Sequence, residues 1–146
     1  MDCNCFCAMG RVIHARVIFD GKTPNERTAR FDRDGRRLMG TSLGRSGPKT
    51  PLSDDFCLPE AYSVAISVAE MISQDMDFAR IDYLIADENI YALECTWYPG
   101  GGYTRFTDPA IPRSFHEARD IRKSWFMTTT GHRLIEIYKS ALRRCL

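Results

Sequence analysis

Hydrophobic and polar positions alternate in short runs over the first forty residues of the chain. This alternation predicts β-strands, which are expected over 3–8, 11–19, 27–31 and 36–39. Between them, Met9-Gly10 and residues 32–35 each contain a glycine, which supplies the backbone conformation of a tight turn. The sequence therefore predicts two successive hairpins, followed over 40–53 by a polar loop rich in glycine, serine and proline.

From residue 59 onward a helical period replaces the alternation. Pro59 stands at a first helical position, and alanine, valine and isoleucine recur three and four positions apart as far as Ser73, which predicts a helix over 59–73. Two longer β-prone runs follow at 78–86 and 90–97. These two runs are long enough to be central strands of a sheet.

The remainder of the chain is expected to be irregular through Pro112 and helical over 115–125 and 133–146, where the last segment is amphipathic. The order of all these elements predicts an α+β fold, with a mostly antiparallel sheet and helices on one face. Residues 1–112 are expected to form this unit, and 113–146 to pack on it as a helical extension within one domain.

Two acidic residues lie at matching positions of the last two β-prone runs. Side chains alternate along a strand, so Asp82 shares a face with Arg80, and Glu94 shares a face with Thr96. A three-residue loop at 87–89 makes Asp82 pair with Glu94 and Arg80 pair with Thr96. That register also gathers apolar residues on one buried face: Ile81, Tyr83, Leu93 and Cys95. A register shifted by one would expose half of them, so burial favours this pairing.

Like charges that face each other across a sheet destabilise it, so a cation is expected beside Asp82 and Glu94. Carboxylate oxygens are ligands for Mg²⁺, which takes one or two protein carboxylates and completes its shell with water and phosphate. Thr96 would add a hydroxyl. The alternative is that Arg80 neutralises both acids in an ion-pair cluster. Spacing by itself leaves both interpretations open.

Three consecutive glycines, Gly100 to Gly102, follow the second of these runs directly after Trp97-Tyr98-Pro99. Backbone N–H groups in such a turn can approach an anion closely. The alternative is a flexible turn without a ligand, since neither a GxGxxG spacing nor a P-loop lysine accompanies the glycines.

Overall charge excludes two classes of partner. The chain has 20 Lys and Arg against 19 Asp and Glu, so no net field recruits nucleic acid or an anionic membrane. No signal peptide and no long apolar run are evident, and a cytoplasmic location is expected. The six cysteines are then expected as free thiols, with Cys3, Cys5 and Cys7 packed in the core rather than holding a soft metal.

One stretch of the sequence resembles a known enzyme family. Residues 80–83 read Arg-Ile-Asp-Tyr, and residues 90–102 read Ile-Tyr-Ala-Leu-Glu-Cys-Thr-Trp-Tyr-Pro-Gly-Gly-Gly. This pattern looks like the C-terminal core of ATP-grasp enzymes, in which an Arg-x-Asp, a Glu-x-Asn and a Pro-Gly follow one another. The glycine triplet, and threonine in place of asparagine, resemble the TupA-like branch, named for teichuronopeptide biosynthesis. The likeness covers residues 2 to 107.

The resemblance implies a role for each matching residue. Asp82 and Glu94 would bind one or two Mg²⁺ ions, with Thr96 as a possible third ligand. Arg80 would contact the transferring phosphate, and the amides of Gly100, Gly101 and Gly102 would lie near the reacting carboxylate. A basic position of the family falls near Arg27 or Arg30, and Arg27 would contact phosphates of the cofactor; the alternative is a solvated strand face.

The resemblance also implies an activity: ATP-dependent joining of a small carboxylate to an amine in the biosynthesis of a cell-surface polymer. The half that binds adenine would come from an upstream part of the protein or from a complementary chain, and self-association is also expected. The alternative function is a non-catalytic remnant or protein-interaction module without that half.

Overall fold

The computed structural model describes residues 1–39, 49–97, 99–100 and 105–146, and the backbone alone at 42–43 and 101–102. The strands are β1 (Asp2–Ala8), β2 (Arg11–Phe19), β3 (Arg27–Phe31), β4 (Arg37–Leu38), β5 (Ser42–Leu43), β6 (Thr50–Pro51), β7 (Ala79–Ala86), β8 (Asn89–Trp97) and β9 (Arg105–Phe106). The helices are α1 (Ala61–Ile72), α2 (Ala110–Ala118), α3 (Trp125–Thr128) and α4 (Arg133–Cys145).

Within the described residues, seven strands form one mostly antiparallel sheet in the order β4-β3-β2-β1-β7-β8, with β6 pairing beside β3. The β1–β2 hairpin turns at Met9-Gly10, where both residues have positive φ. Strands β3 and β4 join through a turn that ends at Gly35, also at positive φ. The α+β fold and both predicted hairpins are confirmed.

Helix α1 packs on one face of the sheet and closes the core. The side chains of Cys3, Cys5 and Cys7 alternate onto this face and are fully buried, as the core interpretation of the three thiols predicted. Burial raises the pKa of Cys7 to about 12, so this thiol stays protonated. Ala65 and Ala69 are also fully buried. Their small side chains let the helix lie close to the sheet.

Two predictions made from the sequence about connecting segments were wrong. The predicted loop over 40–53 contains β6, which pairs in parallel with the start of β3; most of the remainder of that loop lies outside the described residues. The predicted helix over 115–125 instead begins at Ala110, because the carboxylate of Asp108 accepts a hydrogen bond from the Ala110 amide at 2.8 Å. The segment breaks after Ala118, where Arg119 is extended.

A single helical turn over Ile121–Lys123 and α3 follow, each with its own cap. The carboxylate of Asp120 accepts from the Arg122 amide, and the hydroxyl of Ser124 accepts from the Met127 amide. Helix α4 then runs close to its predicted bounds. Its apolar side chains Leu134, Ile137 and Tyr138 are 70%, 57% and 58% exposed.

Candidate functional site

The β7–β8 hairpin places Asp82 opposite Glu94 and Arg80 opposite Thr96. This pairing is the one predicted from the sequence, but the turn of the hairpin is one residue shorter than predicted. The turn has two residues, Asp87 and Glu88, both at positive φ, so Ala86 pairs with Asn89 rather than with Ile90.

A β-bulge restores the expected register. Between the Tyr83–Ala92 and Asp82–Glu94 pairs, β8 carries one residue more than β7, and that residue is Leu93. Strand β8 ends the sheet order and most of its residues are exposed, including Leu93 at 60% and Cys95, although both were predicted to be buried. Ile81 and Tyr83 are buried as predicted.

Arg80 neutralises part of the charge of the two acids. Its Nε and Nη2 donate to Oδ1 and Oδ2 of Asp82 at 2.7 and 2.6 Å. Nη2 lies 3.9 Å from Oε2 of Glu94 and donates to the hydroxyl of Thr96 at 3.3 Å. These are the contacts of the ion-pair interpretation. Two carboxylates against one guanidinium leave one negative charge.

The two carboxylates differ in exposure. The Asp82 side chain is 12% exposed and both of its oxygens are bonded to Arg80, whereas the Glu94 side chain is 62% exposed. One Glu94 oxygen accepts from the Thr96 hydroxyl at 2.8 Å. Glu94 thus presents its carboxylate to solvent, beside the buried carboxylate of Asp82 that Arg80 orients.

This donor set fits Mg²⁺ only together with ligands from outside the protein. In the part of the chain that the structure describes, no group of three or more His, Cys, Asp or Glu side chains is placed to hold a metal. Asp82 and Glu94 supply two carboxylates, and Mg²⁺ commonly takes that number from protein when phosphates and water provide the rest.

Asp82 and Glu94 belong to a polar row that crosses the sheet on the face opposite α1. Neighbouring strands pair Glu94 with Asp82, Asp82 with Asn4, Asn4 with Arg16, and Arg16 with Arg30. Strands are spaced by about 4.8 Å. The row therefore changes from acidic to basic over roughly four strand spacings, with Asn4 in the middle.

The basic end contains a buried pair that sequence reasoning missed. Nη1 of Arg30 lies 2.6 Å from Nε2 of His14, and the ring of His14 stacks on Phe6 with centroids 4.5 Å apart. Phe115 of α2 and Phe106 of β9 meet the same imidazole edge-on. Thus α2 approaches the face of the sheet opposite α1, so the prediction that the helices lie on one face was wrong. Alternation along each strand decides which face of the sheet Arg30 and His14 occupy, but only the β2–β3 pairing brings the two side chains together.

Burial sets the charge state of this pair. It lowers the pKa of His14 well below the ordinary value, and the positive charge of Arg30 lowers it further, so the imidazole is neutral. Burial, and then repulsion by Arg16, lowers the pKa of Arg30 to about 10. Arg30 therefore remains a cation at neutral pH.

The remaining predicted site residues lie outside the polar row. Pro99–Gly102 forms a single helical turn directly after β8, with Gly100 at positive φ. Arg27 is half exposed, and its guanidinium pairs with Asp20 at 3.2 Å. Arg27 alternates onto the face opposite that of Arg30, so the structure places Arg30, rather than Arg27, in the polar row.

Comparison with known proteins gives one match. Residues 1–117 match the family described as TupA-like ATPgrasp, and this stretch contains the hairpin, the glycine turn and the whole polar row. The chain has no significant match among curated proteins or among solved structures. No helix in the described ranges is long and apolar enough to cross a bilayer. Because the matched stretch spans most of the 146 residues, the chain belongs to the TupA-like ATP-grasp family.

Proposed function

We propose that this chain binds ATP with Mg²⁺ at Asp82 and Glu94 and forms the metal-binding half of a ligase that joins a carboxylate to an amine. The observation that carries the proposal is the pair of facing carboxylates, one buried and one exposed, with Arg80 between them. This proposal includes a role in the biosynthesis of a cell-surface polymer and a cytoplasmic location. The free buried thiols of β1 support a cytoplasmic location, because the cytoplasm keeps cysteines reduced.

The proposed reaction has two steps. A carboxylate oxygen of the acid attacks the γ-phosphorus of ATP, the bond from that phosphorus to the β–γ bridging oxygen breaks, and ADP leaves. The nitrogen of the amine then attacks the acyl carbon, the bond to the phosphate oxygen breaks, and the amine loses a proton as phosphate departs. Phosphoryl transfer of this kind depends on positioning and charge more than on covalent help from protein.

The residues of the hairpin supply that positioning. Mg²⁺ held at the hairpin would supply positive charge against the nucleotide phosphates. Asp82 and Glu94 would hold the ion, and Thr96 orients Glu94 through its hydroxyl. Once Arg80 leaves Asp82, its guanidinium can turn to the phosphoryl group that moves. The amides of Gly100, Gly101 and Gly102 would donate to developing negative charge on the reacting carboxylate.

The test is titration calorimetry of Mg²⁺·ADP, and of Mg²⁺ alone, into the wild-type chain and the Glu94→Gln variant. We expect Mg²⁺·ADP to bind in the micromolar range and the variant to weaken it by about tenfold or more, since a charged ligand of the ion becomes neutral. Glu60→Gln makes the same change at an exposed residue beside α1 and should have no effect. Absence of binding, or equal binding by Glu94→Gln, would contradict the proposal.

A second candidate function is a protein-interaction module without catalysis. The observation that favours it is the exposed apolar face of α4, formed by Leu134, Ile137 and Tyr138. Contiguous apolar surface of this kind is typical of an interface. A second copy of the chain is the occupant we propose for it.

A further inference from the structure

The polar face of the sheet contains a second feature, a cavity of about 170 Å³ bordered by β2, β3, β4 and the start of β6. Four cationic side chains line it: Arg16, Arg30, Arg37 and Lys49. The hairpin site uses none of them. Asp54 is the acidic residue among the described lining residues.

Charge in this cavity is not balanced. Glu26 lies 2.9 Å from Arg16 and 3.6 Å from Lys49, and Asp54 lies 3.2 Å from Arg37. Among the described residues, two carboxylates therefore face four cations. Arg30 is buried and has no carboxylate within ion-pair distance among the described residues; its guanidinium instead contacts the neutral ring of His14.

The cationic side chains are also held in place. Nε of Arg16 donates to the hydroxyl of Thr28 at 3.1 Å, and Arg37 donates to the backbone carbonyls of Leu52 and Ser53. Arg30 lies over the rings of Phe6 and Phe106. An anion entering the cavity would meet oriented donors and would relieve the repulsion between Arg16 and Arg30.

The cavity lies on the same face of the sheet as the carboxylate pair. Arg16 pairs with Asn4, and Asn4 pairs with Asp82, so Arg16 and Asp82 are two strand spacings apart on one face. That separation is about 10 Å. A ligand lying along the polar row would span both places.

We propose that this cavity binds a second anionic group, a carboxylate or phosphate, of the acid substrate whose reacting carboxylate lies at the hairpin. The substrate class is then an acid with two negative groups roughly 10–15 Å apart, since Arg16 and Arg30 lie two and three strand spacings from Asp82. This inference rests on the proposed function for the identity of the substrate, but binding of an anion in the cavity does not depend on metal or nucleotide.

The test uses citrate as the carboxylate probe and inorganic phosphate as the phosphate probe, each titrated into the chain without Mg²⁺. We expect at least one of them to bind, and Arg16→Gln and Lys49→Gln each to weaken that probe by about tenfold, since each removes one of the facing charges. The probe that binds identifies the type of anionic group. Lys49 is partly exposed, so its variant should fold normally even where Arg16→Gln loses stability with its Glu26 contact.

Two controls separate the outcomes. Arg122→Gln removes the same charge from an exposed side chain far along the sequence and should leave probe binding unchanged; equal weakening by this variant would mean nonspecific attraction and overturn the proposal. Glu94→Gln should not weaken probe binding, because it affects only the hairpin. Failure of Mg²⁺·ADP binding with probe binding intact would therefore refute the proposed function alone.

Competition decides between substrate and nucleotide as the source of the anion. We expect the probe to bind with unchanged affinity when Mg²⁺·ADP is present at saturation. Displacement of the probe by Mg²⁺·ADP would assign the cavity to the nucleotide phosphates and overturn the inference. Lack of any binding by either probe, or equal binding by the Arg16 and Lys49 variants, would overturn it as well.

Discussion

At the scale of single residues, the proposed magnesium ion would compete with Arg80 for Asp82. The guanidinium bonds to both oxygens of Asp82. Arg80→Gln would leave two facing carboxylates without their cation, so we expect Mg²⁺ alone to bind about tenfold more tightly. The same variant should weaken Mg²⁺·ADP by about tenfold, because the cation proposed to contact the phosphates is lost. Titration calorimetry measures both affinities.

The opposite signs of the two changes make this prediction specific. Arg122 provides a matched control, because its guanidinium bonds to both oxygens of Asp120 at 2.8 and 3.1 Å with the same two-residue separation. Arg122→Gln should alter neither affinity. Arg80 would have a purely structural role if its variant changed both affinities in the same direction.

The lowered pKa of His14 predicts that the stability of the chain depends on pH. Its pKa in the folded chain lies well below the ordinary value of 6.5, so below that value the unfolded chain takes up a proton that the folded chain excludes. The stabilising contribution is therefore complete above pH 6.5 and is lost as the pH falls toward the folded pKa. Between about pH 7.5 and about pH 5.5 this group should lower the free energy of unfolding by about 1 kcal/mol.

The measurement is urea denaturation at both pH values for the wild-type chain and for His14→Gln, which keeps an acceptor for Arg30. The variant should lose less stability on acidification, by about the 1 kcal/mol that the wild-type histidine contributes. NMR titration of the His14 ring in the folded chain gives a second readout. A midpoint near the ordinary value of 6.5 would refute the prediction.

At the scale of elements, the β7–β8 turn is tied to α1. One carboxylate oxygen of Glu88 accepts a hydrogen bond at 3.3 Å from the amide of Ala61, the first residue of the helix. The residue before it, Glu60, makes no side-chain cap of its own. Glu88 therefore caps the helix from the tip of the hairpin that carries Asp82 and Glu94.

Glu88→Ala should lower the free energy of unfolding by about 1 kcal/mol, because it leaves an amide at the helix start without its acceptor. Urea denaturation at neutral pH measures the change. Glu88→Gln keeps an acceptor oxygen and should cost less than half of that amount. Equal losses in the two variants would indicate that charge, rather than the hydrogen bond, connects the turn to the helix.

At the scale of the whole molecule, the exposed apolar face of α4 predicts that the chain associates with itself. Leu134, Ile137 and Tyr138 are each more than half exposed, and pairing of two such faces would bury apolar surface. We expect concentration-dependent dimerisation in sedimentation velocity, and about tenfold weaker association for Leu134→Glu. Ser140→Glu adds the same charge at an exposed polar position of the helix and is the control. A chain that stays monomeric at all concentrations would rule out a second copy as the partner of this face.

Local patterns explain why much of the fold was predictable. Alternation and turn glycines defined β1 to β3, the helical period defined α1, and the positions of Asp82 and Glu94 on matching faces followed from alternation. The loop length of the carboxylate hairpin was mispredicted. The pairing was still right because the shorter turn at Asp87-Glu88 and the extra residue at Leu93 offset each other.

The sequence by itself determined β1 to β4, β7, β8, α1, the core cysteines and the facing acids, because each depends on spacing along one or two neighbouring segments. Only the tertiary structure decided that Arg80 bonds to Asp82, that Arg30 meets His14, and that four cations surround one cavity. The Arg30–His14 contact and the cavity bring together residues of different strands, whereas Arg80 and Asp82 lie two residues apart on one face of β7. Their geometry depends on register and burial, which no local pattern specifies.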